Sequence, residues 1–193
     1  MLTQIDYQLF IFLNTAFSNP FFDLVLPKLT NSTNLLIIYF VGSALYITFS
    51  KHKILAVKRF LAATILLGLM DWVGHNLIKE IFERPRPNNA GYFIAGVHQL
   101  FPQCNFLEGT SSAFKSFPSN HALTNMAIAS IWSLWFPKAA KYLVSFALLI
   151  GFTRIYVGVH YPFDIFYGFV FGFGFAYLTY ISTKKWLVKT NEN

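Results

Sequence analysis

With 55% hydrophobic and 12% charged residues among 193, this chain has the length of one domain and is too apolar for a soluble one, where charged residues run at about 25%. Its net charge of +7 is confined to short clusters beside apolar runs and matches no base-reading module, so nucleic acid is excluded as a partner. A single cysteine, Cys104, rules out an intramolecular disulfide.

In chain order, the first 33 residues carry no Lys or Arg before Lys28 and so lack the basic start of a cleavable signal peptide. Two apolar stretches there, 7–17 and 21–29, are interrupted by Asn14, Asn19, Pro20, Asp23 and Pro27. That pattern predicts short interfacial helices, with a sixth crossing as the alternative. Five longer apolar runs follow, at 35–49, 56–72 extending to 78, 122–136, 142–159 and 162–182. Each is near or above the length that crosses about 30 Å of hydrocarbon, the shortest with help from snorkelling or bilayer thinning. The expected fold is therefore all-α: a single-domain transmembrane helical bundle over 1–193, with five to six spans.

If the five runs alternate, Lys51, Lys53, Lys58, Arg59, Lys138, Lys141, Lys184, Lys185 and Lys189 fall on one side, nine of the fifteen cations. Lys28, Lys79, Arg84, Arg86, Lys115 and Arg154 fall on the other. By the positive-inside rule the first side is cytoplasmic, 184–193 is a cytoplasmic tail, and the second set faces outward. The one long non-apolar segment, 88–117, holds Tyr92, Phe93, Phe101, Phe106 and Phe114 and reads as an outer lid loop.

Three short stretches at that outer face carry the chemistry. At the end of the second span, Pro85 ends the helix, so Lys79 projects from the last turns and Arg86 sits on a stiff extended stub. Two cations at different heights can thus converge on one anion. Before the third of these spans, Ser119 has the chemistry of an N-cap, opening an anion-binding helix start with His121 one turn inside it. Between the last two spans, Arg154 offers a fork for phosphate oxygens, and His160 is the side chain able to act as nucleophile, acid or base near neutrality. Asp164 follows four residues later. With Pro162 in the first helical turn, its carboxylate shares a face with His160 and can fix the ring tautomer. Each stretch has a bland reading as membrane-interface charge or simple capping; their joint presence at one face does not.

Lys79 with Arg86-Pro87, then Pro118-Ser119-Asn120-His121, then Arg154, His160 and Asp164 together resemble the three-part signature of the type 2 phosphatidic acid phosphatase (PAP2) family. Two positions depart from it: Asn120 stands where glycine is usual, and Thr153 where serine is usual. The resemblance implies phosphate-ester hydrolysis through a phosphohistidine, with no metal and no cofactor. It implies His160 as nucleophile, Asp164 as its orienting group and His121 as acid and then base. Lys79, Arg86, Arg154, Ser119 and the backbone near Asn120 are implied to bind phosphate. It further implies a bacterial inner-membrane enzyme facing outward and acting on a phospholipid or polyprenyl phosphate. Undecaprenyl diphosphate, phosphatidylglycerophosphate and a lipid A phosphate are the candidates, the first of them leading. The alternative is a non-catalytic lipid-phosphate binding or transport protein, which the two histidines disfavour. A vanadate-dependent oxidase is disfavoured by the membrane spans.

Asp71 and His75 share a face of the second span with Lys79, one turn apart. They read as a buried hydrogen-bonded pair that also positions Lys79, and His52 and His98 as loop residues without a role.

Overall fold

The computed structural model describes residues 2–89, 94, 96–100 and 115–188. Most of the expected lid at 88–117, namely 90–93, 95 and 101–114, lies outside the described residues, and with it Cys104 and the five aromatic residues named for it. The last five residues lie outside them too.

The described elements are helices joined by turns, with an isolated antiparallel bridge between Pro85 and Lys115. Helix α1 covers Leu2–Thr15 and α2 covers Pro20–Leu29, the pair bent by 113°. Asn19 caps α2, its side chain accepting from Phe22 N at 2.9 Å, with Pro20 at the first helical position. Asn31 caps α3, Ser32–Phe49, accepting from Thr33 N at 2.9 Å. Helix α4, Lys53–Val73, passes through a π-helical turn at Gly74–Ile78 into α5, Lys79–Phe82. It stops at Glu83, whose φ of 43° is left-handed, one residue before Arg84-Pro85. Helices α6, Asn120–Trp135, α7, Ala140–Tyr156, and α8, Pro162–Val188, complete the bundle.

Helix α6 is central. Ala63, Leu66 and Met70 of α4, Leu123, Ala127 and Ile131 of α6, and Ala176 of α8 form one buried cluster. Helices α6 and α8 approach closely because α8 presents Gly168 and Gly172 one turn apart. A Cβ at Gly172 would lie 2.4 Å from the Leu123 carbonyl oxygen, and one at Gly168 would lie 3.0 Å from that of Ser119. This contact sets the start of α8 against the start of α6, where Ser119 N donates to the Asp164 carbonyl at 3.1 Å.

At the opposite end, Lys58 lies over Trp186 at 5.0 Å, and Arg59 lies over Phe136 at 5.0 Å while donating to the Tyr46 hydroxyl at 3.1 Å. Helices α3, α4, α6, α7 and α8 thus alternate between two ends, as the apolar pattern predicted. Three of them, at Ser32–Phe49, Pro137–Tyr156 and Pro162–Leu187, are long and apolar enough to cross a bilayer by length and composition alone. The bent α1–α2 pair would make a fourth if taken as one span. Helix α4 carries Lys58, Arg59 and Asp71 within its length, and α6 has 16 residues, about 24 Å of rise. Helix α8 runs on to Val188, so Lys184 and Lys185, expected in the tail, stand on its last turns.

Two of the polar residues that interrupt α1 and α2, Asn14 and Asp23, are anchors to α7. Asn14 is fully buried, and its amide donates to the carbonyls of His98, Ile155 and Tyr156 at 2.9, 3.0 and 2.9 Å. Two of these are carbonyls at the C-terminal end of α7, where intrahelical partners run out. His98, expected to be an idle loop residue, meets Asp23 at 2.7 Å, and the Tyr156 hydroxyl donates to the same Asp23 oxygen at 2.5 Å. The α1–α2 pair therefore fastens the end of α7 from which Arg154 projects.

Candidate active site

The ends of α4, α6, α7 and α8 converge on a cavity of about 600 Å³. Lys79, Arg86, Asn120, His121, Arg154 and His160 all line it, so six of the eight residues expected from sequence share one wall. Ser119 and Asp164 stand directly behind, both fully buried. The Ser119 hydroxyl accepts from Ala122 N at 3.4 Å, which makes it the N-cap of α6 as expected. Thr153 is buried and bonds back to the Ile150 carbonyl at 2.6 Å, so its difference from serine does not reach the cavity.

His160 follows the turn at Gly158, whose φ of 80° only glycine takes without strain. Arg86 Nη1 lies 3.2 Å from His160 Nε2. A guanidinium can only donate, so Nε2 presents a lone pair and the ring proton sits on Nδ1. Nδ1 faces Asp164 Oδ2 at 3.6 Å. Burial, and then the positive charges of Arg86, Arg154 and Lys79, hold His160 well below the ordinary histidine range. The imidazole is thereby kept neutral, the state in which Nε2 can attack an electrophile.

Asp164 does not hold His160 unaided. Its Oδ2 accepts from Tyr161 N at 2.9 Å, while Oδ1 accepts from Arg84 Nη1 at 2.7 Å. Arg84 Nη2 reaches Asp6 Oδ2 at 2.6 Å, and Asp6 Oδ1 accepts from Phe163 N at 2.9 Å. The guanidinium lies over the Tyr161 ring at 4.0 Å. Burial opposes its charge, but Asp164 and Asp6 outweigh that and raise its pKa above the ordinary value. Arg84 and Asp6 were not among the residues read from sequence as forming the site. Neither was Thr30, whose carbonyl accepts from His121 Nε2 at 3.0 Å and whose hydroxyl accepts from Arg154 Nη1 at 3.2 Å. That contact places the proton of His121 on Nε2. The only sequence signal for Arg84 was its place in the Arg-Pro-Arg-Pro run; for Asp6 and Thr30 there was none.

Asn120, standing where the family has glycine, is α-helical, so the difference does not act through the backbone. What matters is its side chain, whose amide donates to the Asp71 carbonyl and to Asp71 Oδ1 at 3.1 Å each and also touches His75 Nδ1. A Cβ at Gly74, in the π-helical turn, would lie 2.2 Å from Asn120 Oδ1. Gly74→Ala is therefore expected to destabilise the chain by about 1–3 kcal/mol through overpacking. In an Asn120→Gly background the sign should reverse, because alanine is the better helix former by about 1 kcal/mol. Thermal melts of the four variants in detergent check this; the same sign in both backgrounds would refute the packing account.

Among the described residues no group of three or more His, Cys, Asp or Glu is arranged to hold a metal ion. The arrangement can bind a tetrahedral anion among three cations, offer Nε2 of a neutral imidazole to it, and supply a proton from a second imidazole.

The family model described as PAP2 superfamily matches residues 56–187. The lipid A 1-phosphatase of Rhizobium johnstonii is 36% identical over 106 residues, covering 55% of this chain and 41% of that one. The undecaprenyl-diphosphatase of Bacillus subtilis is 37% identical over 101 residues, covering 52% and 46%. The chain thus spans less than half the length of these two relatives. The crystal structure of Aquifex aeolicus LpxE superposes with a TM-score of 0.66 at 25% identity, covering 91% of this chain and 94% of that one.

Proposed function

We propose, from the premise that this chain belongs to the PAP2 superfamily, that it is a membrane lipid phosphatase. In this reading it releases phosphate from a lipid phosphate or diphosphate head group through a phosphohistidine. The observation that carries the reading is the single cavity lined by Lys79, Arg86, Arg154, His121 and His160, with Asp164 behind His160. Fixed cations around one space in an otherwise apolar bundle suit an anion whose charge spreads over nonbridging oxygens in the transition state.

In the first step His160 Nε2 attacks phosphorus in line. The P–N bond forms and the ester P–O bond breaks, while His121, as the imidazolium that the bound phosphate's negative charge favours, gives its Nε2 proton to the departing oxygen and is left a neutral imidazole. The ring then carries positive charge, which Asp164 stabilises through Nδ1–H. In the second step water attacks phosphorus, His121 takes its proton, and the P–N bond breaks to leave inorganic phosphate and neutral His160. Lys79, Arg86 and Arg154 bind the nonbridging oxygens, Arg86 exchanging its contact with Nε2 for one with phosphate. Ser119 and the first backbone N–H groups of α6 at Asn120 complete the anion site.

The cation-rich far end of the bundle is taken as cytoplasmic, which places the cavity at the outer face of the bacterial inner membrane. Purified protein assayed against a phosphatidylglycerophosphate, a lipid A phosphate and a polyprenyl diphosphate tests the reading. Turnover of at least one is expected, undiminished by chelators and inhibited by vanadate. Failure on all, or strict dependence on an added divalent ion, would refute it.

A further inference from the structure

Along α4 and the π-helical turn, the residues facing the cavity change character in sequence: Thr64 and Gly68, then Asp71 and His75, then Lys79. Their spacing keeps them on one helix face. The cavity therefore has three zones. Cations surround His160 at one end, and Leu35, Leu36 and Tyr39 of α3 make the other end apolar. Between them lies a zone of hydrogen-bonding groups that the chemistry at phosphorus does not use. His75 Nδ1 sits 3.3 Å from Asp71 Oδ1, and Asn120 donates to that same oxygen at 3.1 Å. The pair is not buried as expected: the Asp71 side chain is 60% exposed, and both residues line the cavity. The zone is built into the fold, since Asn120 reaches Asp71 only because Gly74 lacks a side chain. An ionisable group on a helix inside a membrane bundle is costly to keep and is ordinarily retained for use.

We propose that Asp71, His75 and Asn120 form a head-group subsite that accepts hydrogen bonds from hydroxyl groups next to the scissile phosphate. The substrate is then a phosphomonoester borne on a sugar or glycerol head, with its hydrocarbon in the apolar zone. This rests on the lipid-phosphatase reading above and narrows it. A carboxylate offers only acceptors, so it binds an O–H donor and repels a second phosphate. The unadorned diphosphate of a polyprenyl chain would put negative charge against Asp71.

The test uses the full chain in detergent micelles with four substrates: a lipid-sugar 1-phosphate, a phosphatidylglycerophosphate, dodecyl phosphate and a polyprenyl diphosphate. The readout is kcat/KM for each, divided by that for dodecyl phosphate, which has no hydroxyl. In Asp71→Ala the ratio for a hydroxylated substrate is expected to fall by about tenfold or more, and the arm with the larger fall identifies sugar or glycerol as the source. In Asp71→Asn the ratio for the diphosphate is expected to rise. Because a ratio cancels any general loss of folded enzyme, an unmoved ratio in Asp71→Ala overturns the subsite whatever the absolute rates. A wild-type preference for the polyprenyl diphosphate over both hydroxylated lipids overturns it as well. A wild type inactive on all four overturns the phosphatase reading itself, a distinct result.

Discussion

His160→Ala is expected to lower kcat on any lipid phosphate by about 10⁴-fold or more while leaving a folded protein. Losses of that order follow when the nucleophile of a covalent mechanism is removed, because the residual anion site binds substrate without offering an attacking atom. His160 is 1% exposed, but its ring faces the cavity, so truncation enlarges an existing space and tears no packed core. A detergent melt and a monodisperse elution profile check folding. His121→Ala supplies the complementary measurement. With an aryl phosphate, whose leaving group needs little protonation, this variant should still transfer phosphate to His160 but fail to activate water. It should therefore accumulate an acid-labile, alkali-stable phosphoenzyme with a stoichiometric burst. Turnover retained in His160→Ala, or an alkali-labile adduct in His121→Ala, would remove His160 from the nucleophile's place.

What could be read from the chain before its fold was local chemistry. Ser119 caps α6, Pro162 opens α8, Pro85 follows the end of α5, and the spacing of His160 and Asp164 brings Nδ1 and Oδ2 to 3.6 Å. These depend on residues within a turn or two of each other, where propensity and periodicity carry information. The supports of the site depend on partners far away. Asn14 meets Tyr156 across 142 positions, Thr30 meets Arg154 across 124, and Asp6 meets Arg84 across 78. Polar residues in a short apolar helix look alike in sequence whether they turn to a membrane interface or to a buried helix end. Asp71 and His75 were legible as one helix face, yet the third member of their cluster, Asn120, comes from another helix and enters only where Gly74 leaves room.

Arg84→Gln is expected to lower kcat by about 10²-fold with KM changed by no more than about twofold. Arg84 does not line the cavity; it grips Asp164 Oδ1 and so leaves Oδ2 to Tyr161 N and the imidazole. Without it, two buried carboxylates, Asp6 and Asp164, lose the cation they share at 2.6 and 2.7 Å. Carboxylates left that way repel or protonate, and either response moves the group that orients the nucleophile. A displacement of about 1 Å at an orienting residue can cost about 10²-fold without touching substrate affinity. The cation is what matters, so Arg84→Lys should recover part of the rate, though a point charge cannot bridge two carboxylates as a planar fork does. In an Asp164→Asn background, Arg84→Gln should add little further loss, because its path to His160 is already cut. Full additivity of the two losses, or a loss carried in KM, would mean that Arg84 acts on substrate directly or on the fold as a whole, and would refute its place behind Asp164.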